Sequence, residues 1–137
     1  MTALTADRAT AERAGEEASY DVAAAVVCRA GGIAVLDASG NVKPAVTATG
    51  LVCAGMFPEA VDNSAGAAAA VKAKVRSGVF RFANSAAGDA ITKAEIGDTC
   101  YLVDDQTVAK TDGTGTRSAA GKIVDVDSVG VWVRMGL

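Results

Sequence analysis

The chain has 137 residues, 50% hydrophobic but only 4% aromatic, and carries a formal net charge of −3 with no histidine. This length suits one domain whose core is built from Ala, Val, Ile and Leu and which folds without a metal or disulfide staple. The negative balance argues against a general nucleic-acid binder, whose affinity comes from neutralising phosphates, and the missing histidine removes the commonest general base and metal ligand.

Residues 1–19 differ from the rest. They mix Asp7, Arg8, Glu12, Arg13, Glu16 and Glu17 with alanine and threonine, and Leu4 is the only large apolar side chain after Met1. Without a periodic apolar face this segment reads as an extended arm that orders on a partner, leaving 20–137 as the folded domain. Thr2, Leu4, Arg8 and Arg13 are the candidate contacts along the arm.

From Tyr20 the pattern becomes β-like, with short apolar runs separated by turn residues. Val22 to Cys28 reads as one strand, Gly31-Gly32 turns the chain into Ile33 to Leu36, and a polar loop from Asp37 to Asn41 leads to Val42 and the edge-type Pro44. Gly50 to Met56 is the next strand. Asp62 to Gly66 reads as a polar turn.

Val71 to Asn84 carries the strongest periodicity. Val71, Ala73 and Val75 alternate with Lys72, Lys74 and Arg76, and after Ser77-Gly78 the parity flips so that Phe80 and Phe82 take the even positions. If both apolar sets face one core, a bulge or tight turn is required at Ser77-Gly78. The lysines and arginines read as a solvated strand face that also resists edge pairing.

Ile91 to Gly97 reads as a short helical turn, with Thr92 as N-cap, Glu95 closing a capping box and Gly97 as the stop. Cys100 to Val103 and Thr107 to Lys110 form a hairpin, and Gly121 to Val126 pairs with Val131 to Met135. In this last strand Trp132 falls opposite Val131, Val133 and Met135, so it is partly exposed or covered by another surface. Met56, Phe57 and Trp132, large apolar residues outside a clear inward register, are the candidates for contact between protomers.

The chemical motifs fail on spacing. Asp125-Val-Asp127-Ser-Val-Gly130 begins like a calcium loop but has Gly136 where the bidentate Glu belongs. Gly115 to Lys122 has one residue too many for a phosphate loop and continues with Ile123. Cys28, Cys53 and Cys100 are odd in number and lie in apolar runs, which suits reduced, buried thiols. The reading is therefore non-enzymatic, with no metal and no cofactor, and with neither a membrane span nor a secretory signal.

Val75-Arg-Ser-Gly-Val-Phe-Arg-Phe82 resembles the basic-Ser-Gly-x-Phe-Arg-aromatic strand of the head decoration proteins of lambda-like tailed bacteriophages. Gly50 to Gly55, Ile91 to Asp98, Tyr101 to Val108 and Gly121 to Asp127 are similar in outline to segments of the wider capsid cement group. The resemblance implies a mainly β fold, a compact β-barrel or β-tulip-like domain with one or two short helices and an extended N-terminal arm. It further implies a homotrimer on the outer surface of the expanded virion head, with the major capsid protein as partner and no direct contact with nucleic acid or membrane. An arm without prolines departs from the lambda pattern. The alternative from another class is a small β-barrel that binds a ligand or regulates.

Overall fold

The computed structural model describes residues 2–9, 11, 13 and 15–137. The chain is mainly β, with twelve strands: β1 (Glu17–Asp21), β2 (Val26–Cys28), β3 (Ile33–Leu36), β4 (Val42–Pro44), β5 (Val52–Met56), β6 (Val61–Asn63), β7 (Lys72–Arg76), β8 (Gly78–Asn84), β9 (Thr99–Leu102), β10 (Thr107–Ala109), β11 (Ala119–Val126) and β12 (Val131–Met135). Two single 3-10 turns, Ala87–Asp89 and Lys93–Glu95, precede β9. The second carries the capping box expected there: Glu95 accepts from the Thr92 N–H at 2.9 Å and the Thr92 hydroxyl accepts from Ala94.

Several boundaries differ from the sequence reading. Strand β1 begins at Glu17, so the sheet takes in the end of the segment expected to be arm. Val22 to Cys28 is not one strand, because Ala25 adopts a left-handed φ of 57° and breaks the run before β2. Asn63, expected in a turn, ends a short strand and is buried, its amide donating to the carbonyls of Ala23 and Ala67.

The first sheet runs β1-β7-β5-β3-β4 and the second is a closed barrel, β8-β12-β11-β9-β10. These are one architecture built twice. Each antiparallel pairing in the first sheet has a counterpart in the second, with β1 corresponding to β8, β3 to β9, β4 to β10, β5 to β11 and β7 to β12. The parallel β8–β10 pairing that closes the second barrel is matched only by an isolated parallel bridge from Val22 to Val42, so that the first sheet curls into an incompletely closed barrel.

The paired strands correspond at one constant spacing, 29–57 onto 95–123, while the loops before β5 and β11 differ, Gly113, Thr114 and Gly115 being left-handed where Thr47, Ala48 and Thr49 are not. Val35 pairs with Cys53 and Lys43, as Tyr101 pairs with Ala119 and Ala109. Ala54 and Ala120 are the skipped residues of equivalent bulges. The Gly31 N–H donates to the Phe57 carbonyl at 2.7 Å and the Gly97 N–H to the Ile123 carbonyl at 2.8 Å. Phe57 and Ile123 donate in return to Gly32 and Asp98, both at 2.9 Å.

Each barrel has its own interior. Val22, Ala34, Val42, Ala54, Phe57, Ala73 and Val75 fill the first, while Cys100, Leu102, Val108, Ala120, Ile123, Val131 and Val133 fill the second with Phe82 and Ile91. A further apolar layer, Ile33, Val35, Ala45 and Cys53 from the outside of the first barrel, packs onto the second. β3 is therefore buried on both faces, which is why it reads as the unbroken apolar run Ile-Ala-Val-Leu.

The parity flip at Ser77-Gly78 acquires its reason here. The two apolar sets do not share one core: Ala73 and Val75 face the first barrel, Phe80 and Phe82 the second. The chain crosses between sheets at this dipeptide, so no bulge is needed.

Candidate interaction surface

The arm residues Thr2, Leu4, Arg8 and Arg13 are all exposed, Leu4 at 72%. Among the described residues hydrogen bonding begins at Glu16, whose carbonyl accepts from the Ser77 N–H at 2.8 Å. Val22 donates to the Val71 carbonyl at 3.0 Å in the same antiparallel ladder. Even-numbered residues of β1 thus turn their amides and carbonyls to β7, and the backbone groups of Glu17 and Ser19 point the other way, along a free edge. Arg13, Glu17, Ser19 and Lys72 line a shallow cleft on this edge.

The arm enters the fold beside the end of the chain. Gly15 and Glu16 share a cleft with Ser77, Val79, Gly136 and Leu137, and Leu137 is 73% exposed. This places the N-terminal segment, the C-terminal residue and the barrel crossover at one end of the molecule.

The three candidate protomer contacts are not brought together. Phe57 is fully buried inside the first barrel, so it is a core residue and offers no surface to a partner. Its phenyl ring fills the place Ile123 fills in the second barrel. Met56 is half-buried, packed against the core of the second barrel at the junction.

Trp132 is half-buried on the outside of the second barrel, the first of the two outcomes its strand register allows. Its indole N–H donates to Asp127 Oδ2 at 2.9 Å, and the Arg81 guanidinium sits 5.3 Å from the ring centroid. Asp127 also accepts from the Val129 and Gly130 amides and pairs with Arg81 at 3.4 Å. The indole N–H, those two amides and Arg81 hold the Asp127 carboxyl down at about 2. Both oxygens that a calcium loop would need are thus committed to the hairpin turn.

The basic face of β7 is largely answered by acids. Lys72 pairs with Asp21 at 3.0 Å and Arg76 with Glu17 at 3.5 Å, both across the β1–β7 ladder. Arg81 lies on the other barrel. Lys72, Lys74, Arg76 and Arg81 therefore form no continuous basic strip. Gly121 and Lys122 lie within β11 and not in a loop leading to a helix, so the phosphate-loop likeness has no structural basis.

Sequence reading missed two surface features. Asp105 lies between the two strands of the hairpin read from Cys100 to Lys110, and its carbonyl accepts from the Ile33 N–H at 2.8 Å and ties the second barrel to the first. The outer face of β9 and β11, with Thr99, Tyr101, Ala119 and Lys122, is open where the matching face of the first barrel is covered. Its alternating burial was legible in Thr-Cys-Tyr-Leu. What covers the corresponding face of β3 was not.

No helix of the described residues is long and apolar enough to cross a membrane. All three cysteines are free and buried. No protein-family model, curated protein or solved structure matches this chain.

Proposed function

We propose that this chain is a capsid decoration protein that binds the outside of an expanded phage head as a homotrimer and stabilises the shell against packaged DNA. The observation that carries the reading is the exposed N-terminal segment running into a free-edged strand. An extended arm of bland composition can pair with a strand of a shell subunit through main-chain hydrogen bonds, which depend little on side-chain identity. Glu17 and Ser19 offer the first such groups of the folded domain. Repeated over many equivalent shell sites, a modest contact per arm becomes strong when three arms act from one trimer.

The Val75 to Phe82 motif supports the reading through its resemblance to the decoration-protein strand, and its Ser77 N–H bonds the Glu16 carbonyl where the arm joins the fold. The interiors of both barrels are packed with side chains, and the clefts of the described residues are shallow and lie on the surface. That arrangement favours a structural role over the ligand-binding alternative.

The test is the survival of packaged heads made with and without this protein. Undecorated heads should lose DNA on heating and on dilution into low salt, and adding the purified chain should restore them. Equal survival without the protein would sink the stabilising role.

A further inference from the structure

The two barrels hold an arginine in the same place with different neighbours. Arg76 on β7 lies opposite Glu17 on β1 and Met56 on β5. Arg134 on β12 takes the equivalent position, opposite Val79 on β8 and Lys122 on β11. The backbones agree, since the Arg76 carbonyl closes on Gly55 as the Arg134 carbonyl closes on Gly121.

In the first barrel the chain answers this arginine itself, because the Glu17 carboxylate pairs with the Arg76 guanidinium at 3.5 Å. In the second barrel the strand that would supply the acid supplies Val79, and the other neighbour is a second cation. Lys122 and Arg134 are both exposed and stand directly opposite each other, an arrangement that opposes the pairing of their strands. Neither takes part in an ion pair among the described residues. Glu16 shares a cleft with Arg134, and Asp98 shares one with Lys122, both without ion-pair contact, and Glu95 is held by Lys110 at 3.6 Å. A like-charged pair kept at the surface is a local cost of the kind that functional sites carry.

We propose that Lys122 and Arg134 together receive a carboxylate from an acidic segment of the shell subunit, so that the body of the domain contacts the shell beside the arm. The proposal rests on the decoration reading and adds the chemistry of a second contact. The fold itself names the occupant, since a carboxylate is what stands beside Arg76 and is missing beside Arg134. The location agrees. Arg134 lines the cleft that also holds Gly15, Glu16 and Val79, where the arm joins the fold, so the surface that the arm grips lies next to the cation pair. A carboxylate placed between the two cations offsets their repulsion as well as pairing with them.

The experiment combines head binding with thermal unfolding of the full-length chain, for wild type, Arg134→Gln, Lys122→Gln and Lys122→Glu. The two neutral variants should each weaken binding to expanded heads at least about fivefold, and added salt should weaken the wild type more than either. Both should unfold no lower than wild type, since each removes a repulsion. Lys122→Glu supplies the carboxylate in place, so it should unfold at a higher temperature than wild type and bind heads worst. A hexaglutamate peptide is the independent probe. At low salt it should move the amide resonances of Lys122 and Arg134 in wild type and leave those of Lys122→Glu where they are. Heads that bind every variant as well as wild type would overturn the proposal and leave the decoration reading standing. If wild type fails to bind heads, the decoration reading falls and the peptide decides the site: movement of the two resonances supports it, and no movement overturns it. A destabilised Arg134→Gln would show that the chain already answers this arginine, and would also overturn the proposal.

Discussion

Gly55 and Gly121 occupy the same place in the two barrels, each with its α-carbon against a carbonyl of the neighbouring strand, that of Arg76 in one and of Arg134 in the other. A Cβ at either site would run into that carbonyl oxygen and would also come within 3.2 Å of a valine methyl, Val75 in the first and Val133 in the second. Both glycines have positive φ, 139° and 157°. Gly55→Ala and Gly121→Ala should therefore each destabilise the fold by about 1–3 kcal/mol, the usual cost of forcing atoms into a packed site. Urea denaturation measures it, and a stability unchanged by either substitution would contradict the bulge geometry.

Asp127 makes the stability of the final hairpin pH-dependent. Its folded pKa, about 2, lies below the ordinary carboxylate value, so the stabilisation is fully present above about pH 4 and is lost as pH falls toward 2. Asp89, held down by the Thr111 hydroxyl and Arg117, and Glu95, held down by Thr92, act in the same direction. Trp132 is the chain's one tryptophan and donates to Asp127, so its emission should shift through this window. Asp127→Asn should remove that shift and flatten the acid limb of the stability curve. An unchanged emission from pH 5 to pH 2 would show that the pair does not form.

The cysteines should be inert until the protein opens. Burial pushes Cys53 up to about 11 and Cys100 to about 12, and it raises Cys28 as well. At pH 8 the thiolate fraction of Cys53 is then about a hundredfold below that of a free thiol, before access is counted. Labelling with a thiol reagent should be slow in native buffer and complete for all three in denaturant. Rapid labelling of one thiol in the native protein would place it at the surface.

Much of this architecture was legible because local pattern and local structure agree. Ile33 to Leu36, Val42 to Pro44 and Val131 to Met135 alternate or run apolar as their strands require, and the Thr92 to Glu95 capping box was readable from two residues at the right spacing. The repeat was hidden because pairing geometry constrains few identities. Over 29–57 and 95–123 the shared residues are Gly31 and Gly97, Leu36 and Leu102, Val42 and Val108, Ala54 and Ala120, Gly55 and Gly121. The first barrel turns Ile33 and Val35 toward the second, whereas their counterparts Thr99 and Tyr101 meet water, so the two faces carry different residue types. Phe57 was misplaced for a related reason. It follows β5 just before Pro58, where period-2 reasoning ends, and its burial depends on the Gly32 and Gly31 hydrogen bonds that no local pattern announces.

Phe57 and Met56, adjacent in sequence, should behave differently on truncation. Phe57→Ala empties the first barrel and should cost about 3–5 kcal/mol, whereas Met56→Ala, half-buried at the junction, should cost less, about 2 kcal/mol. Thermal unfolding of the two variants gives the comparison. Equal and small losses would return Phe57 to the surface.

The most direct test of the decoration role is co-sedimentation of the purified chain with expanded, undecorated phage heads, using the full chain and a form lacking residues 1–15. That truncation leaves β1 whole, since the strand starts at Glu17. The account predicts saturable binding of the full chain at a fixed ratio to the shell subunit, and loss of that binding in a truncated protein that still folds. Absence of binding by the full chain, or undiminished binding after truncation, would contradict it.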